Sequence, residues 1–222
     1  MQSRTALQQA APEASRMKVP AWLARATERL ELERRLDPAV SVMTKLSEPL
    51  TANGTGEILR GEWLGHALHP LLTDLPLGCW LGAGLLDLVG GRRARPAAQR
   101  LVGLGLLMVP PTAAAGLVDS TTTEDPRARR VAAVHGTGNT LVALLYFRSW
   151  SSRRKGRYGR GRLFGVAGGL LAWYTGYLGG HLSFGRGVGQ GLRGLDLDDD
   201  HPAELLSSDR LRQMATNVAE QS

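Results

Sequence analysis

The sequence predicts an all-α integral membrane protein, a bundle of four transmembrane helices with polar tails at both ends. Four apolar stretches are each long enough to cross a bilayer, since a helix rises about 1.5 Å per residue and roughly 20 residues span the hydrocarbon core. Most of them lack the polar stripe expected in a soluble bundle, which is the alternative fold. Glycine and proline are frequent inside them, and membrane helices tolerate both. The predicted spans are 68–89, 98–118, 131–147 and 163–182.

The average composition does not reveal this organisation, because it includes the two polar tails. Hydrophobic residues make up 43% of the chain, a value typical of a soluble protein. We divide the sequence into a polar N-terminal tail (1–62), a four-helix transmembrane domain (63–191) and a polar C-terminal tail (192–222). The first tail has no early apolar stretch of the kind that a signal peptide needs. Insertion is therefore expected to depend on the first transmembrane helix.

Within the N-terminal tail, residues 20–36 are predicted to form an amphipathic helix. Trp22, Leu23, Ala26 and Leu30 recur at a spacing of roughly three to four, and glutamates alternate with arginines between and after them. Two arrangements fit this pattern. The helix either lies on the membrane surface or is solvated and packs on the rim of the protein itself.

The first and second spans contain groups that an apolar environment disfavours. Pro70 suits the first turn of a helix, where its missing N–H costs nothing. Asp74 lies more than one turn deeper and needs a partner if it is ionised. Asp87, near the other end of the first span, is expected to pair with an arginine of a basic loop. Pro110 and Pro111 predict a kink in the second span.

The third and fourth spans place polar groups on defined faces. The third is short, so its flanking arginines would have to extend toward the headgroups. It also puts His135 and Asn139 on one stripe, four residues apart. On the fourth span, Tyr174, Tyr177 and His181 follow a spacing of three to four. Glycine ridges on the same helix predict close helix packing.

Basic residues concentrate in the loops after the first and third spans. Eleven arginines and lysines lie there without an acidic residue, against six near the helix ends of the opposite face. Because basic residues in short loops favour the cytoplasmic side, we expect a multi-pass protein of the bacterial cytoplasmic (inner) membrane, with the basic loops inside and both termini outside. The net charge of +7 does not indicate nucleic-acid binding, since no aromatic-interleaved basic patch accompanies it.

Four histidines lie where these spans would enter or leave the bilayer, and the connectivity puts all of them at the outer face. They are His66, His69, His135 and His181. Neutral imidazole is a common ligand of zinc, copper and iron, and two imidazoles facing each other across a bundle can ligate haem. We therefore predict that this cluster binds haem b or a transition metal ion, with His69, His135 and His181 as the metal ligands.

Carboxylate and amide groups near the same face could orient the imidazoles by hydrogen bonding. The candidates for this role are Asp74, Asp119 and Asn139. The alternative interpretation needs no cofactor. Histidines at helix ends often cap carbonyls or hydrogen-bond to a neighbour, so the same residues would then form a packed structural network.

Five blocks of the sequence resemble the successive signature blocks of a bacterial membrane family, domain of unknown function 2231. These blocks are WLGHALHPLLTDLPLGCW, LLDLVGG, GLVDS, RRVAAVHGTGNTLVALLY and GYLGGHLSFGRGVG. The resemblance covers about residues 63–191 and implies a four-helix membrane protein whose relatives sometimes adjoin Rieske-type domains. It adds a redox or Rieske-type protein to the expected partners, beside the lipid bilayer. The chain has one cysteine, Cys79, and cannot itself supply the ligands of a Rieske cluster.

The sequence leaves three functions open. The first is membrane electron transfer through a histidine-bound haem or metal. The second is a non-catalytic scaffold or accessory subunit whose histidines form a hydrogen-bond network. The third, a small transporter or proton path, is disfavoured because no continuous line of ionisable residues crosses the bilayer. Enzymatic activity is not indicated, since motifs such as GxSxG and HExxH do not occur.

Overall fold

The computed structural model describes residues 20–52 and 54–189, and all regular elements in these ranges are helical. The α-helices are α1 (Ala21–Leu32), α2 (Asp37–Thr51), α3 (Thr55–Arg60), α4 (Leu68–Val89), α5 (Arg95–Asp119), α6 (Pro126–Arg154) and α7 (Tyr158–Gly180). Short 3₁₀ turns occur at Arg34–Leu36, Glu62–Leu64 and Ser120–Thr122, and a π-helical turn at His181–Gly185 extends α7. The all-α prediction is confirmed for the described residues. The predicted C-terminal tail, 192–222, lies outside them.

The helices differ from the predicted elements mainly at their ends. α6 is 29 residues long and extends beyond both ends of the predicted third span, 131–147. It begins early because the carboxylate of Asp125 accepts a hydrogen bond from the Arg127 N–H at 2.9 Å, an N-cap that is followed directly by a proline. The helix predicted over 20–36 stops at Leu32, because Glu33 adopts an extended conformation and caps a separate 3₁₀ turn.

Two helices in the described part of the chain are long and apolar enough to cross a membrane. They are Leu68–Val89 and the segment Arg95–Thr122, which is α5 with its 3₁₀ turn. α6 and α7 also have the length, but they contain more polar, glycine and arginine residues. Exposed leucines nevertheless occur on all four helices, for example Leu81, Leu107, Leu144 and Leu170. Composition thus supports two spans, while the apolar outer surface extends over four helices.

Two antiparallel helix pairs build the bundle. α4 packs mainly on α5, and α6 mainly on α7. The pairs meet where α5 lies against α6 and, less extensively, where α4 lies against α7. One buried cluster, at the level of Trp80, joins α4, α5 and α6, and a second joins the beginning of α6 to the end of α7. The interface between the pairs is therefore tighter on one side than on the other.

The two helix pairs repeat one another. α5 and α7 share the pattern Gly-x6-Thr-x3-Gly, which occupies residues 105–116 and 168–179. Equivalent residues of α4 and α6 meet at three levels of the bundle. These pairs are His69 with His135, Trp80 with Tyr146, and Asp87 with Arg153. Because equivalent residues meet along one line, an approximate twofold axis parallel to the helices relates the pairs, as in a parallel structural repeat.

Glycines of α5 and α7 let the central aromatic residues approach the axis. The rings of Trp80 and Tyr146 are stacked with their centroids 3.9 Å apart. A Cβ at Gly105 would overlap the Trp80 indole, and a Cβ at Gly168 would lie 2.9 Å from the Tyr146 ring. Any larger residue at either position would push its ring out of the stack. The repeated pattern thus sets the distance between the helices of each pair.

An ion pair closes the bundle at the end that carries the basic loops. Asp87 accepts hydrogen bonds from Arg153, whose side chain is 2% exposed, and from Arg162 Nε at 3.3 Å. Arg153 Nε also donates to the Ser149 hydroxyl at 3.2 Å. A buried guanidinium is tolerated only when it is paired and hydrogen-bonded. Asp87 pairs with arginine as predicted, but both arginines lie within helices, Arg153 in α6 and Arg162 in α7, and not in the loop.

The N-terminal helices pack on the opposite end of the bundle. α1 lies against α6, α2 against α5 and α6, and α3 against α5. Arg130 fastens this segment, since its Nε lies 2.7 Å from Asp37 Oδ1 and its Nη1 donates to the Glu31 carbonyl at 3.0 Å. Leu30 and Met43 pack against the second buried cluster. Of the two arrangements considered for the tail helix, the structure therefore has the one packed on the rim of the protein.

Candidate functional site

His69 and His135 form a partly buried pair on the first turn of α4 and the third turn of α6. Nδ1 of His69 lies 2.9 Å from the Thr112 carbonyl oxygen, and Nδ1 of His135 lies 2.8 Å from that of Thr175. A carbonyl oxygen only accepts, so each Nδ1 carries a proton and donates it. The ring centroids lie 6.3 Å apart, and the ring planes are nearly perpendicular. Each histidine therefore joins the two helices of its own pair, and the two rings meet at the axis.

Asn139 completes the hydrogen bonding of His135. Its Nδ2 lies 3.0 Å from His135 Nε2, and its Oδ1 accepts the Thr175 hydroxyl proton at 2.7 Å. Because Nδ1 holds the ring proton, the neutral His135 uses Nε2 to accept from this amide. The equivalent residue of α4 is Thr73, which donates to the His69 carbonyl at 2.8 Å instead. Both ring nitrogens of His135 are thus engaged within the protein, while the amide that engages Nε2 has no counterpart at His69.

His181 lies in a separate cluster, with Glu31 of α1. His181 Nε2 is 2.8 Å from Glu31 Oε1, and Arg186 contacts both carboxylate oxygens of Glu31. Arg186 Nη1 also lies 3.2 Å from Asp125 Oδ2. Burial alone would raise the pKa of Glu31, but hydrogen bonds and charge from Arg186 and His181 outweigh burial and hold that pKa below its ordinary value. The cluster ties α1 to the end of α7 as an ionic contact.

The remaining predicted site residues are dispersed. His66 is exposed in the segment before α4, and Asp74 is exposed on α4. Asp119 is buried at the end of α5, against the Gly189 backbone, where an added Cβ would come within 2.9 Å of Oδ2. Over residues 20–52 and 54–189, no group of three or more histidine, cysteine, aspartate or glutamate side chains is placed to hold a metal ion. The structure brings together His69, His135 and Asn139, and it places the other predicted residues elsewhere.

Two features that hold the histidines in place were not among the predicted site residues, namely Glu31 and the repeated Gly-x6-Thr-x3-Gly pattern. Glu31 stands 150 residues before His181 in the chain, and no local pattern connects them. The repeated Gly-x6-Thr-x3-Gly pattern, by contrast, is visible in the sequence and contains Thr112, Thr175 and the glycines beside both rings. That repeat is the signal from which the pairing of His69 with His135 could have been derived.

We expect Gly179→Ala to destabilise the protein by about 1–3 kcal/mol, because an added Cβ would lie 2.9 Å from the His135 ring and overfill the contact. Gly116→Ala should act in the same way on His69, where the Cβ would lie 2.8 Å from the ring. The matched control is Gly176→Ala on α7, whose Cβ would meet nothing within 4 Å. Thermal unfolding of the three variants in mild detergent measures the difference. Equal midpoints for Gly179→Ala and Gly176→Ala would contradict the proposed packing.

Acid is expected to release α1. A carboxylate whose pKa is lowered by folding contributes stability that is fully present above its unfolded pKa of roughly 4.3 and is lost as the pH falls through the folded value. Hydrogen exchange of the α1 amides, corrected for the intrinsic rate, should therefore show protection at pH 7 that decreases as the pH falls below the unfolded pKa and through the folded value. Glu31→Gln should weaken protection already at pH 7, whereas Glu28→Gln, on the exposed side of α1, should not. Unchanged protection in Glu31→Gln would refute this assignment.

The comparisons with known proteins identify a family. The model of the family described as "Predicted membrane protein (DUF2231)" matches residues 65–191, a range that contains α4 to α7 and the turn after them. No curated protein and no solved structure matched the chain. Since the match covers the whole bundle and more than half of the sequence, the chain belongs to the DUF2231 family of predicted membrane proteins of unknown function.

Proposed function

We propose that all four long helices, α4 to α7, cross a bilayer, and that residues 63–191 are one transmembrane domain between two polar tails. The family match supports a membrane location, and α4 and α5 have the required length and composition. α6 and α7 pack along them and carry exposed leucines on their outer faces. α5 packs on α6 and α4 packs on α7. If only α4 and α5 crossed the bilayer, these contacts between the two helix pairs could not form within it.

We further propose a bacterial cytoplasmic membrane location with the basic loops in the cytoplasm and both tails outside. The connection between α4 and α5 and the one between α6 and α7 lie at the same end as the Asp87 ion pair, and each carries two basic residues and no acidic one. The positive-inside rule assigns such loops to the cytoplasm. α1 to α3 then cover the outer end of the bundle.

Impermeant maleimide labelling tests this topology in cells and in inverted vesicles. In a Cys79→Ser background, single cysteines replace Arg93 and Lys155 in the basic connections and Glu57 and Thr122 at the opposite end, all of them exposed. We expect labelling of the Glu57 and Thr122 variants from outside intact cells stripped of their outer membrane. The Arg93 and Lys155 variants should react only in inverted vesicles. Labelling of the two basic-loop positions on opposite sides would refute the four-span arrangement.

Within this topology, we propose that the chain is a non-catalytic membrane scaffold or accessory subunit whose histidines are structural. The observation that carries this proposal is the hydrogen bonding of the three partly buried histidines. His69 binds a carbonyl of α5, His135 binds a carbonyl of α7 and the amide of Asn139, and His181 binds Glu31. Apart from the bond between His135 and Asn139, which lies within α6, each bond joins two different helices, so each ring supplies a contact between helices.

His69 and His135 alone favour a second function, the binding of haem b or a metal ion in membrane electron transfer. Their rings face each other across the axis 6.3 Å apart, and both are fixed through Nδ1, so Nε2 is the nitrogen left for a ligand. Axial ligation needs only two imidazoles, so a group of three ligands is not required. Asn139 would have to release His135 Nε2 first. A Rieske-type or other redox protein would then be the partner of the domain.

An absorption spectrum of the purified protein, oxidised and reduced, together with elemental analysis, distinguishes these two functions. We expect no Soret band and no stoichiometric metal. His135→Ala should lower the free energy of unfolding by about 1–3 kcal/mol, because the Thr175 carbonyl and the Asn139 amide would each lose a hydrogen-bond partner. Replacing the exposed His66 by alanine should change the free energy of unfolding little. A Soret band that is lost in both His69→Ala and His135→Ala, but kept in His66→Ala, would refute the structural role and establish the haem site.

A further inference from the structure

We propose that the groove between α4 and α7, at the end of the bundle that holds Asp87, binds one acyl chain of an anionic phospholipid, with the lipid phosphate on Arg162. This inference rests on the proposed crossing of the bilayer by α4 and α7. It concerns a part of the bundle that lies away from the histidines and assigns a specific ligand to it.

A cavity of about 390 Å³ opens between these two helices. That size is within the range of ligand pockets in proteins, roughly 300–1,000 Å³. Its walls are mostly apolar, and the stacked rings of Trp80 and Tyr146 lie beside it. The side chains at its rim, among them Leu81, Leu85 and Val166, are exposed. A chain of methylene groups is therefore the kind of ligand that these walls would accept.

The equivalent space in the other half of the bundle is filled by the protein itself. Trp150 of α6 packs on Gly103 of α5 so closely that a Cβ there would lie 2.9 Å from the indole nitrogen. By the twofold relation, the counterpart of Trp150 is Gly84 of α4, and the counterpart of Gly103 is Val166 of α7. A Cβ at Gly84 would meet nothing within 4 Å. The repeat thus fills one interface with an indole and leaves the other open toward the region where lipid would be.

Charge at the polar end of the cavity selects the head group. Asp87 is the one carboxylate among the lining residues, and it faces two guanidinium groups, Arg153 and Arg162. The three groups together carry a positive charge. Arg153 is 2% exposed and engaged with Asp87, whereas the Arg162 side chain is 38% exposed and contacts Asp87 only through Nε. Guanidinium groups bind phosphate through paired hydrogen bonds, so Arg162 is placed to receive a lipid phosphate.

Position along the helices agrees with this ligand. Asp87 lies near the end of α4, and Arg162 lies near the beginning of α7, both close to the basic connections. A phosphate at this level would sit in the headgroup region, with its acyl chain running toward the bilayer centre past Gly84 and Trp80. A neutral amphiphile would fit the apolar walls equally well, but it would leave the excess positive charge without a partner.

Native mass spectrometry of the full chain, after exchange into detergent with equal phosphatidylglycerol and phosphatidylcholine, tests the proposal. We expect one retained phosphatidylglycerol per chain and an order of magnitude less phosphatidylcholine. Gly84→Trp, which copies the closed half, should abolish retention. Gly78→Trp is the matched control, since Gly78 is also exposed on α4 with nothing within 4 Å, and it should retain the lipid. Arg162→Gln should reduce the preference for phosphatidylglycerol about tenfold while the chain still binds.

Three outcomes would overturn the proposal: equal retention of both lipids, retention of a neutral isoprenoid instead, or retention by Gly84→Trp at the level of the wild type. Arg162→Gln keeps the test valid if Gly84→Trp fails to fold. Maleimide labelling distinguishes a failure of the lipid site from a failure of the proposed topology. Normal labelling with no retained phosphatidylglycerol would refute only the lipid site, whereas altered labelling would refute the four-span arrangement as well.

Discussion

The contact between α4 and α6 along the approximate twofold axis is the constraint on which the rest of the bundle depends. Three pairs of side chains meet there: two imidazoles at one end, stacked aromatic rings in the middle and an ion pair at the other end. In each layer, the side chains reach the axis because a glycine of the neighbouring helix leaves space for them or a carbonyl of that helix accepts a hydrogen bond from them. The small residues of α5 and α7 are therefore as necessary to the axis as the large residues of α4 and α6, in keeping with the close packing of membrane helices.

The two helix pairs are not exactly equivalent, and the interface between α5 and α6 differs from the one between α4 and α7. α2 and α3 pack on the α5 side of the bundle, where Trp150 also fills the interface, while the groove between α4 and α7 is left open. In an exact repeat of two helix pairs, the two interfaces would be equal. Here one interface is closed by an indole and covered by the N-terminal segment, and the other has a glycine at the equivalent position. Such asymmetry is what a repeat needs if only one of its interfaces is to bind a ligand.

The sequence predicted the helices well and the site less well, for a physical reason. Hydropathy and periodicity depend on neighbours in the chain, so the all-α class, the ends of α4 and the pairing of Asp87 with an arginine could all be derived. α6 begins before the predicted span because its first turn is held by the Asp125 cap and not by apolar residues. Which histidines meet depends on the rotation of each helix about its axis. A common membrane face does not fix that rotation, so His181 could reach Glu31 instead of joining His69 and His135.

The distribution of ionised groups explains why the histidine region is held by neutral hydrogen bonds. One ionic cluster lies at the end with Asp87, Arg153 and Arg162, and another lies at the opposite end with Glu31, Arg186 and Asp125. Charge near the bilayer centre is costly, whereas charge near a headgroup region is tolerated. In the proposed arrangement, His69 and His135 lie closer to the bilayer centre than the Glu31 cluster, and a hydrogen bond to a carbonyl satisfies each imidazole without a charge. The Glu31 cluster, together with the contacts of Arg130, holds the N-terminal segment over this end of the bundle.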